Sequence, residues 1–246
     1  MSATIQAAAR SGRPSMASAT APPPRKYRVA VFGSFLGGYH VLRQLLAPPL
    51  SDCVEVIGVA TDDPEEPFIH ASVRLWKYDH SDNERWLVRH LAVGEGIPVF
   101  SGRINSDAFA RKFTRQWKPD LCLMATFGQK IPRCLFEFPK FGFYNFHHSD
   151  ASWPSYPGPD PIAGMVRDGK THVVLTMHEV NQVLDGGRFV ARSHPVPLPS
   201  AANAVKVHRR TWPQMGAFIR NQVLRTFRMP RFKASARINN GTGELV

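Results

Sequence analysis

The chain has 246 residues, 43% hydrophobic and 20% charged, with 31 basic against 19 acidic side chains and a net charge of +12. That length buries a sizeable core as one domain, and no apolar stretch reaches the roughly 20 residues that cross a bilayer, which excludes a membrane span. Nine basic residues but one acid fall in residues 1–26 and 225–246, so residues 27–224 are only modestly basic. Such a core suits an anionic small molecule as well as a polynucleotide, and nucleic acid is a disfavoured partner.

Residues 1–26 are rich in Ala, Ser and Pro and close on Pro22-Pro23-Pro24. They read as a disordered extension without the apolar run of a secretory signal; an acid-free leader also fits an organelle transit peptide, and Met16 is an alternative start. Tyr27 to Phe32 reads as a buried strand, running into Gly33-Ser34-Phe35-Leu36-Gly37-Gly38 and a helix through Leu46. Val54 to Thr61 is a second strand, closing in the acidic loop Asp62 to Pro67. A helix covers about Asn83 to Glu95, a short strand Ile97 to Phe100, and an amphipathic helix Asp107 to Trp117. Leu121 to Ala125 and Gly142 to Phe146 are further strands.

A Pro-rich loop follows from Ser152 to Pro161, then a short helix Ile162 to Arg167 and strands at His172 to His178 and Arg188 to Val196. Ala201 to Thr226 reads as one long helix interrupted at Pro213. Residues 225–246 form a basic tail. Alternating strands and helices of this size predict an α/β, Rossmann-like domain at 27–224, with a mainly parallel sheet and helices on both faces. Ligands in such folds bind beyond the carboxyl ends of the strands.

Cys53, Cys122 and Cys134 are odd in number and lack metal or redox spacing; Cys53 and Cys122 read as small hydrophobes, and a reducing, cytoplasmic setting is expected. The first candidate site is the turn at Gly33, Ser34, Phe35 and Gly37. Glycines there let backbone amides approach an anion, but the spacing is a poor dinucleotide fingerprint and disfavours a nicotinamide oxidoreductase. The second is the strand end carrying Asn145 and His147. Residues i and i+2 share a strand face, so these two project together while His148 points away, which argues against a metal held by both histidines. Asp185, in Leu184-Asp185-Gly186-Gly187, is the natural carboxylate partner.

Taken in order, these landmarks resemble the folate-dependent formyltransferases that act on glycinamide ribonucleotide, methionyl-tRNA and sugars. The resemblance spans residues 27–224 and runs through Ile97-Pro98-Val99, Pro119-Asp120-Leu121, Phe127-Gly128-Gln129-Lys130-Ile131-Pro132, Asn145-x-His147-x-Ser149, Pro154, Gly158 and Leu184-Asp185-Gly186-Gly187. It implies Asn145, His147 and Asp185 as catalytic residues, 10-formyltetrahydrofolate as co-substrate and no metal. It places the pterin against Phe127, Gly128, Gln129, Lys130 and Ile131 on one side and Val183 and Leu184 on the other. Asn145 would hold the developing oxyanion, His147 would assist proton transfer, and Asp185 would orient His147 and relay a proton.

The run His148-Ser149-Asp150-Ala151-Ser152-Trp153-Pro154 is two residues longer than the family's usual loop and adds Asp150 and Trp153 to the acceptor's surroundings. Asp62 and Asp63 lie near that region and read as exposed turn acids. The chain lacks the length of a methionyl-tRNA formyltransferase's C-terminal barrel, which counts against tRNA. The extended loop is most similar to enzymes that formylate hydroxyornithine in siderophore biosynthesis. Sugar-nucleotide and glycinamide ribonucleotide formyltransferases are the alternatives within the family, the latter requiring a phosphate pocket at the first glycine turn. Outside the enzymes, a basic nucleic-acid-binding module with a degenerate Rossmann core is the competing reading. The oligomeric state is open.

Overall fold

The computed structural model describes residues 25–63, 80–158, 160–198 and 203–228. Its strands are β1 (Tyr27–Gly33), β2 (Val54–Ala60), β3 (Val99–Phe100), β4 (Leu121–Ala125), β5 (Phe143–Ser149), β6 (His172–Glu179), β7 (Phe189–Arg192) and β8 (Val196–Pro197). They form one sheet in the order β3-β2-β1-β4-β5-β6-β7, with β8 paired to β6. The first five strands are parallel, and β6 runs antiparallel to β5, β7 and β8.

The helices are α1 (Phe35–Leu46), α2 (Leu50–Cys53), α3 (Asp82–Gly94), α4 (Asp107–Arg111), α5 (Arg133–Phe136), α6 (Pro161–Arg167), α7 (Ala204–Gln214) and α8 (Gly216–Arg228). Period-two alternation divides the core between the two faces of the sheet. Val29, Val31, Leu121, Leu123 and Phe146 pack with residues of α1, α3, α7 and α8. Ala30, Phe32, Cys122, Met124 and Phe143 pack with Phe109, Phe113 and Trp117. Central strands covered on both sides must be apolar throughout, which is why β1 and β4 read as continuous hydrophobic runs. This is the Rossmann-like α/β domain expected from the sequence.

Local chemistry sets the ends. Ser81 and Glu84 make a reciprocal capping box at α3. Asp160 caps α6, with Pro161 at its first position, where a missing N–H costs nothing. The predicted helix over 107–117 is continuous, but its last part, Lys112–Trp117, widens into a π-helical turn that ends at left-handed Lys118.

Several predicted elements differ in extent, the strand at 97–100 shrinking to Val99–Phe100. The strand at 142–146 continues to Ser149, because β6 pairs with it through Ser149↔Val174. The strand at 188–196 divides into β7 and β8. Ser193 still bonds Leu175 through both its amide and its hydroxyl, but Pro195 has no N–H to continue a ladder. The long helix over 201–226 divides at Met215, two residues after Pro213. The last helix reaches Arg228, past the predicted start of the tail at 225, and Phe227 stacks on Tyr27 at 4.1 Å. The rest of both predicted tails, and positions 64–67 of the acidic loop, lie outside the described residues. Among the described residues no helix is long and apolar enough to cross a membrane.

The chain leaves β1 toward β2 and β3 on one side, and β4 and β5 lie on the other. The crevice of such a sheet opens at this reversal, beyond the carboxyl ends of β1 and β4. The β4–β5 pairing ends at Met124↔Asn145, while β5 runs on to Ser149. Beyond Asn145, the edge of β5 that would face β4 therefore has no strand beside it among the described residues.

Candidate active site

Asn145 and His147 project from one face of β5 just past that point, and His148 from the other. Asp185 is delivered by the tight connection between β6 and β7. The connection is drawn close by the Glu179 amide donating to the Arg188 carbonyl at 2.9 Å. Position 187 must be glycine, since a Cβ there would overlap the Glu179 carbonyl. Asp185 itself is left-handed, with φ 47°.

The three side chains meet. Asn145 Nδ2 donates to Asp185 Oδ1 at 3.1 Å, and the Gly158 amide donates to Asp185 Oδ2 at 2.8 Å. His147 Nδ1 stands 3.9 Å from Asp185 Oδ2, while its Nε2 lies 3.0 Å from the Tyr156 carbonyl. A carbonyl can only accept, so Nε2 carries a hydrogen and Nδ1 is the nitrogen that gains or gives a proton beside the carboxylate. His178, paired with Asn145 across the β5–β6 ladder, puts Nε2 at 3.6 Å from Asp185 Oδ1.

Burial alone would raise the Asp185 carboxyl. The approach of His178, the nearby His147 and the Gly158 amide outweigh it and hold the group at about 2. Burial dominates at His147 and lowers its pKa, although Asp185 and the Tyr156 bond pull the other way. The resting state is thus an ionised Asp185 beside a neutral His147, with one N–H of Asn145 committed and the other free to donate. That set can stabilise a developing oxyanion and move a proton.

These groups sit in a cavity of about 370 Å³. Phe127, Gly128, Gln129, Lys130 and Ile131 line it, and so do Val183 and Leu184, 64% and 60% exposed. Not all of the first loop is free to touch a ligand. The Gly128 amide donates to Asp62 Oδ2 at 2.6 Å. The Gln129 amide nitrogen reaches Asp62 Oδ1 at 3.4 Å and the Gly102 carbonyl at 3.3 Å, and its oxygen accepts from Ile104 N at 3.0 Å. Phe127 and Ile131 supply apolar surface, and Lys130 is the one lysine or arginine on the described wall.

The residues expected around the acceptor are only partly gathered here. Phe35 lines the cavity; Gly33, Ser34, Gly37, Asp150 and Trp153 do not. A Cβ at Gly33 would stand 2.6 Å from Gly38 Cα, and one at Gly37 would overlap Thr126 Oγ1, so these glycines serve close packing of β1, α1 and the end of β4. The Ser34 amide donates to the Thr126 carbonyl at 3.0 Å, and its hydroxyl bonds Asp62 at 3.2 Å. Asp150 pairs with Lys170 at 2.9 Å and caps Ser152. Trp153 packs over His178 at 4.7 Å and meets His147 edge to face at 6.4 Å.

Asp62, expected to be an exposed turn acid, is only 3% exposed. Burial raises its pKa to about 6 against the opposing bonds from Gly128, Gln129 and Ser34. Sequence reading also passed over His178, the Tyr156 carbonyl, the Gly158 amide, and His208 with Trp212 on α7. Only the histidine on alternating β6 carried a signal, since its parity could have been matched to that of β5. Among the described residues no group of three or more His, Cys, Asp or Glu could hold a metal ion.

Comparison with known proteins decides the family: the model described as formyl transferase matches residues 79–214. The chain belongs to the formyl transferase family. Among curated members, the methionyl-tRNA formyltransferase of Chloroflexus aggregans (strain MD-66 / DSM 9485) is 30% identical over 179 residues, 71% of this chain and 51% of that protein. The chain spans about half the length of the curated relatives it matches. Of solved structures, glycinamide ribonucleotide transformylase 1 from Geobacillus kaustophilus aligns with a TM-score of 0.60 and 21% identity, over 81% of this chain and 100% of that one. The sugar 3N-formyl transferase WlaRD, solved with dTDP and 5-N-formyl-THF, gives 0.57 and 12%, over 83% and 64%. At these identities the structural likeness is one of fold.

Proposed function

We propose that the protein transfers the formyl group of 10-formyltetrahydrofolate to the nitrogen of a small amine or hydroxylamine, with hydroxyornithine of siderophore biosynthesis as the first candidate acceptor. The observation that carries this reading is the meeting of Asn145, His147 and Asp185, at 3.1 and 3.9 Å, in the cavity of a formyl transferase family member. Phe127 and Ile131 against Val183 and Leu184 make an apolar slot suited to a pterin ring. WlaRD, a relative in fold, was solved with a formylated folate.

In the proposed reaction the acceptor nitrogen attacks the formyl carbon and the carbonyl oxygen becomes an oxyanion. Asn145 donates its free N–H to that oxygen. Collapse breaks the carbon–nitrogen bond to the folate, whose nitrogen takes one proton as the acceptor nitrogen gives one up. The proton given up passes through a water and Asp185 to His147 Nδ1, which delivers it to the folate nitrogen. Neither group is basic enough to strip an alkylammonium, whose pKa is near that of lysine at roughly 10.4. A hydroxylamine is far less basic and arrives neutral, which favours it over an alkylamine. Acting on folate and a small metabolite, the enzyme would work in the cytoplasm.

Incubation with 10-formyltetrahydrofolate and hydroxyornithine, ornithine, an aminosugar nucleotide or glycinamide ribonucleotide, following tetrahydrofolate release, tests both parts. Turnover is expected with hydroxyornithine ahead of ornithine. Turnover with the sugar nucleotide alone would replace the acceptor, and release with none of them would remove the transfer reading.

A further inference from the structure

The cavity has a second arm that the catalytic residues leave unused. Because β5 has no neighbour on its β4 side beyond Asn145, the cavity wraps the open edge of the strand and reaches its other face. Phe35 of α1, His148 of β5, and His208 and Trp212 of α7 form the wall there, none more than 6% exposed. Lys130 belongs to the donor loop.

Each of these imidazoles is fixed in one neutral tautomer. The Thr211 hydroxyl spends its hydrogen on the Val207 carbonyl at 2.8 Å, so it must accept from His148 Nε2 at 3.0 Å. His148 Nδ1 is thereby left as an acceptor. Trp212 Nε1 donates to His208 Nδ1 at 2.8 Å, which leaves the hydrogen of His208 on Nε2 as a donor. Neither remaining nitrogen has a hydrogen-bond partner among the described residues. The rings meet edge to face at 5.0 Å. Burial, with His80 nearby, holds His208 at about 3, and burial holds His148 well below the usual histidine range, so neither becomes a cation near neutrality. Glu84, the carboxylate that acts on His208, is bridged by Arg209 at 2.5 and 2.6 Å.

We propose that this arm receives the far end of the acceptor and selects an uncharged group that both donates and accepts a hydrogen bond, a primary amide or hydroxyl, over a phosphate or free carboxylate. The proposal rests on the formyl-transfer reading. Among the described residues a desolvated anion would meet one neutral donor and no cation there, whereas an amide satisfies both free nitrogens. Among ornithine-derived acceptors, hydroxyornithine with its carboxyl amidated would be preferred over the free amino acid, which still turns over.

The test uses the full chain and hydroxylamines of one tether length ending in amide, hydroxyl, carboxylate or phosphate. Binding is measured by calorimetry without folate, and kcat/KM with 10-formyltetrahydrofolate. Amide and hydroxyl ends are expected to bind at least tenfold more tightly than the anions, a margin that His208→Phe abolishes with KM for folate unchanged. If that variant does not fold, Trp212→Phe removes the indole N–H together with one of its two rings, frees the His208 tautomer and should shrink the margin several-fold. Tighter binding of either anion, binding of none of the four, or a margin untouched by both variants would overturn the proposal. Selective binding without any transfer would instead remove the transfer reading and keep the pocket.

Discussion

Asp185→Asn is the sharpest perturbation of the catalytic group. The carboxylate accepts from Asn145 at 3.1 Å through one oxygen and from Gly158 at 2.8 Å through the other. An amide has one oxygen, so whichever way it turns, its NH2 faces a buried N–H. One unsatisfied buried donor costs about 1–3 kcal/mol, a melting temperature lower by several degrees in a domain of this size. The lost negative charge matters more for chemistry. Asp185 is one of two influences that lift the proton affinity of His147 against burial, so without it His147 drops further below the usual histidine range. A positioned acid–base group typically contributes about 10²–10⁴-fold, and kcat should fall by that range with a smaller change in KM for folate.

Steady-state tetrahydrofolate release between pH 5 and 9 checks this. With Asp185 held at about 2, its own titration lies far below the window, and Asp62, at about 6, enters through folate KM, so the acid limb of kcat belongs to His147. In the variant that limb should move to lower pH. A kcat within threefold of the parent enzyme, or a limb that stays or moves upward, would refute the assigned roles.

Asn145→Ala should lower kcat by about 10²–10³-fold, the usual cost of one oxyanion donor, with little change in folate KM in the same assay. Asp62→Asn leaves one oxygen for the Gly128 amide, the Ser34 hydroxyl and the Gln129 amide, which loosens the donor loop. Titration should show folate KM raised about tenfold, roughly one hydrogen bond to a charged group, with kcat changed less. Thermal stability should fall with acid. His40, His148 and His208, each buried, have pKa values below the unfolded 6.5, so the unfolded chain binds protons first as pH drops through 6.5. From pH 7.5 to 5.5 each loses about 1 kcal/mol of stability. Asp62, raised to about 6, works in the opposite direction and returns somewhat less than about 1 kcal/mol. The net is about 2–3 kcal/mol, a melting temperature roughly 4–12 °C lower by calorimetry, and a flat profile would show that these histidines are not buried neutral.

What could be read in the sequence was local. Asn145 and His147 are two residues apart on one strand, and period two alone places them together. Asp185 was marked by the glycines that its tight connection requires. Asp62 was misread because Asp62-Asp63-Pro64 has the composition of a solvent-facing turn. Its burial comes from partners 28 and 66 residues away, Ser34 and Gly128, brought beside it by the strand order. The glycine turn after β1 misled for a related reason. A glycine that lets a phosphate approach and one that lets two backbones touch look alike in sequence, and only the packing against Gly38 and Thr126 separates them. The second arm was illegible because α1, β5 and α7 reach it from three distant stretches.

The left-handed residues explain why the rest of the site carried so little signal. Of the five non-glycine residues with positive φ among the described residues, Phe35, Thr126 and Asp185 line the cavity, and Tyr156 supplies the carbonyl that fixes the His147 tautomer. Such a conformation costs roughly 1–2 kcal/mol for a residue with a Cβ, least for Asp, and glycine would avoid it. Glycine would also remove what each position provides: an aromatic wall, a side chain that seals Gly37, a carboxylate. The main chain is therefore turned sharply at the ends of β1 and β4 and before β7 by residues that no turn motif marks, and the packing of the sheet offsets the strain. A site held that way is formed before its ligands arrive, so its donor and acceptor arms should discriminate by fit to fixed walls rather than by closing around whatever binds.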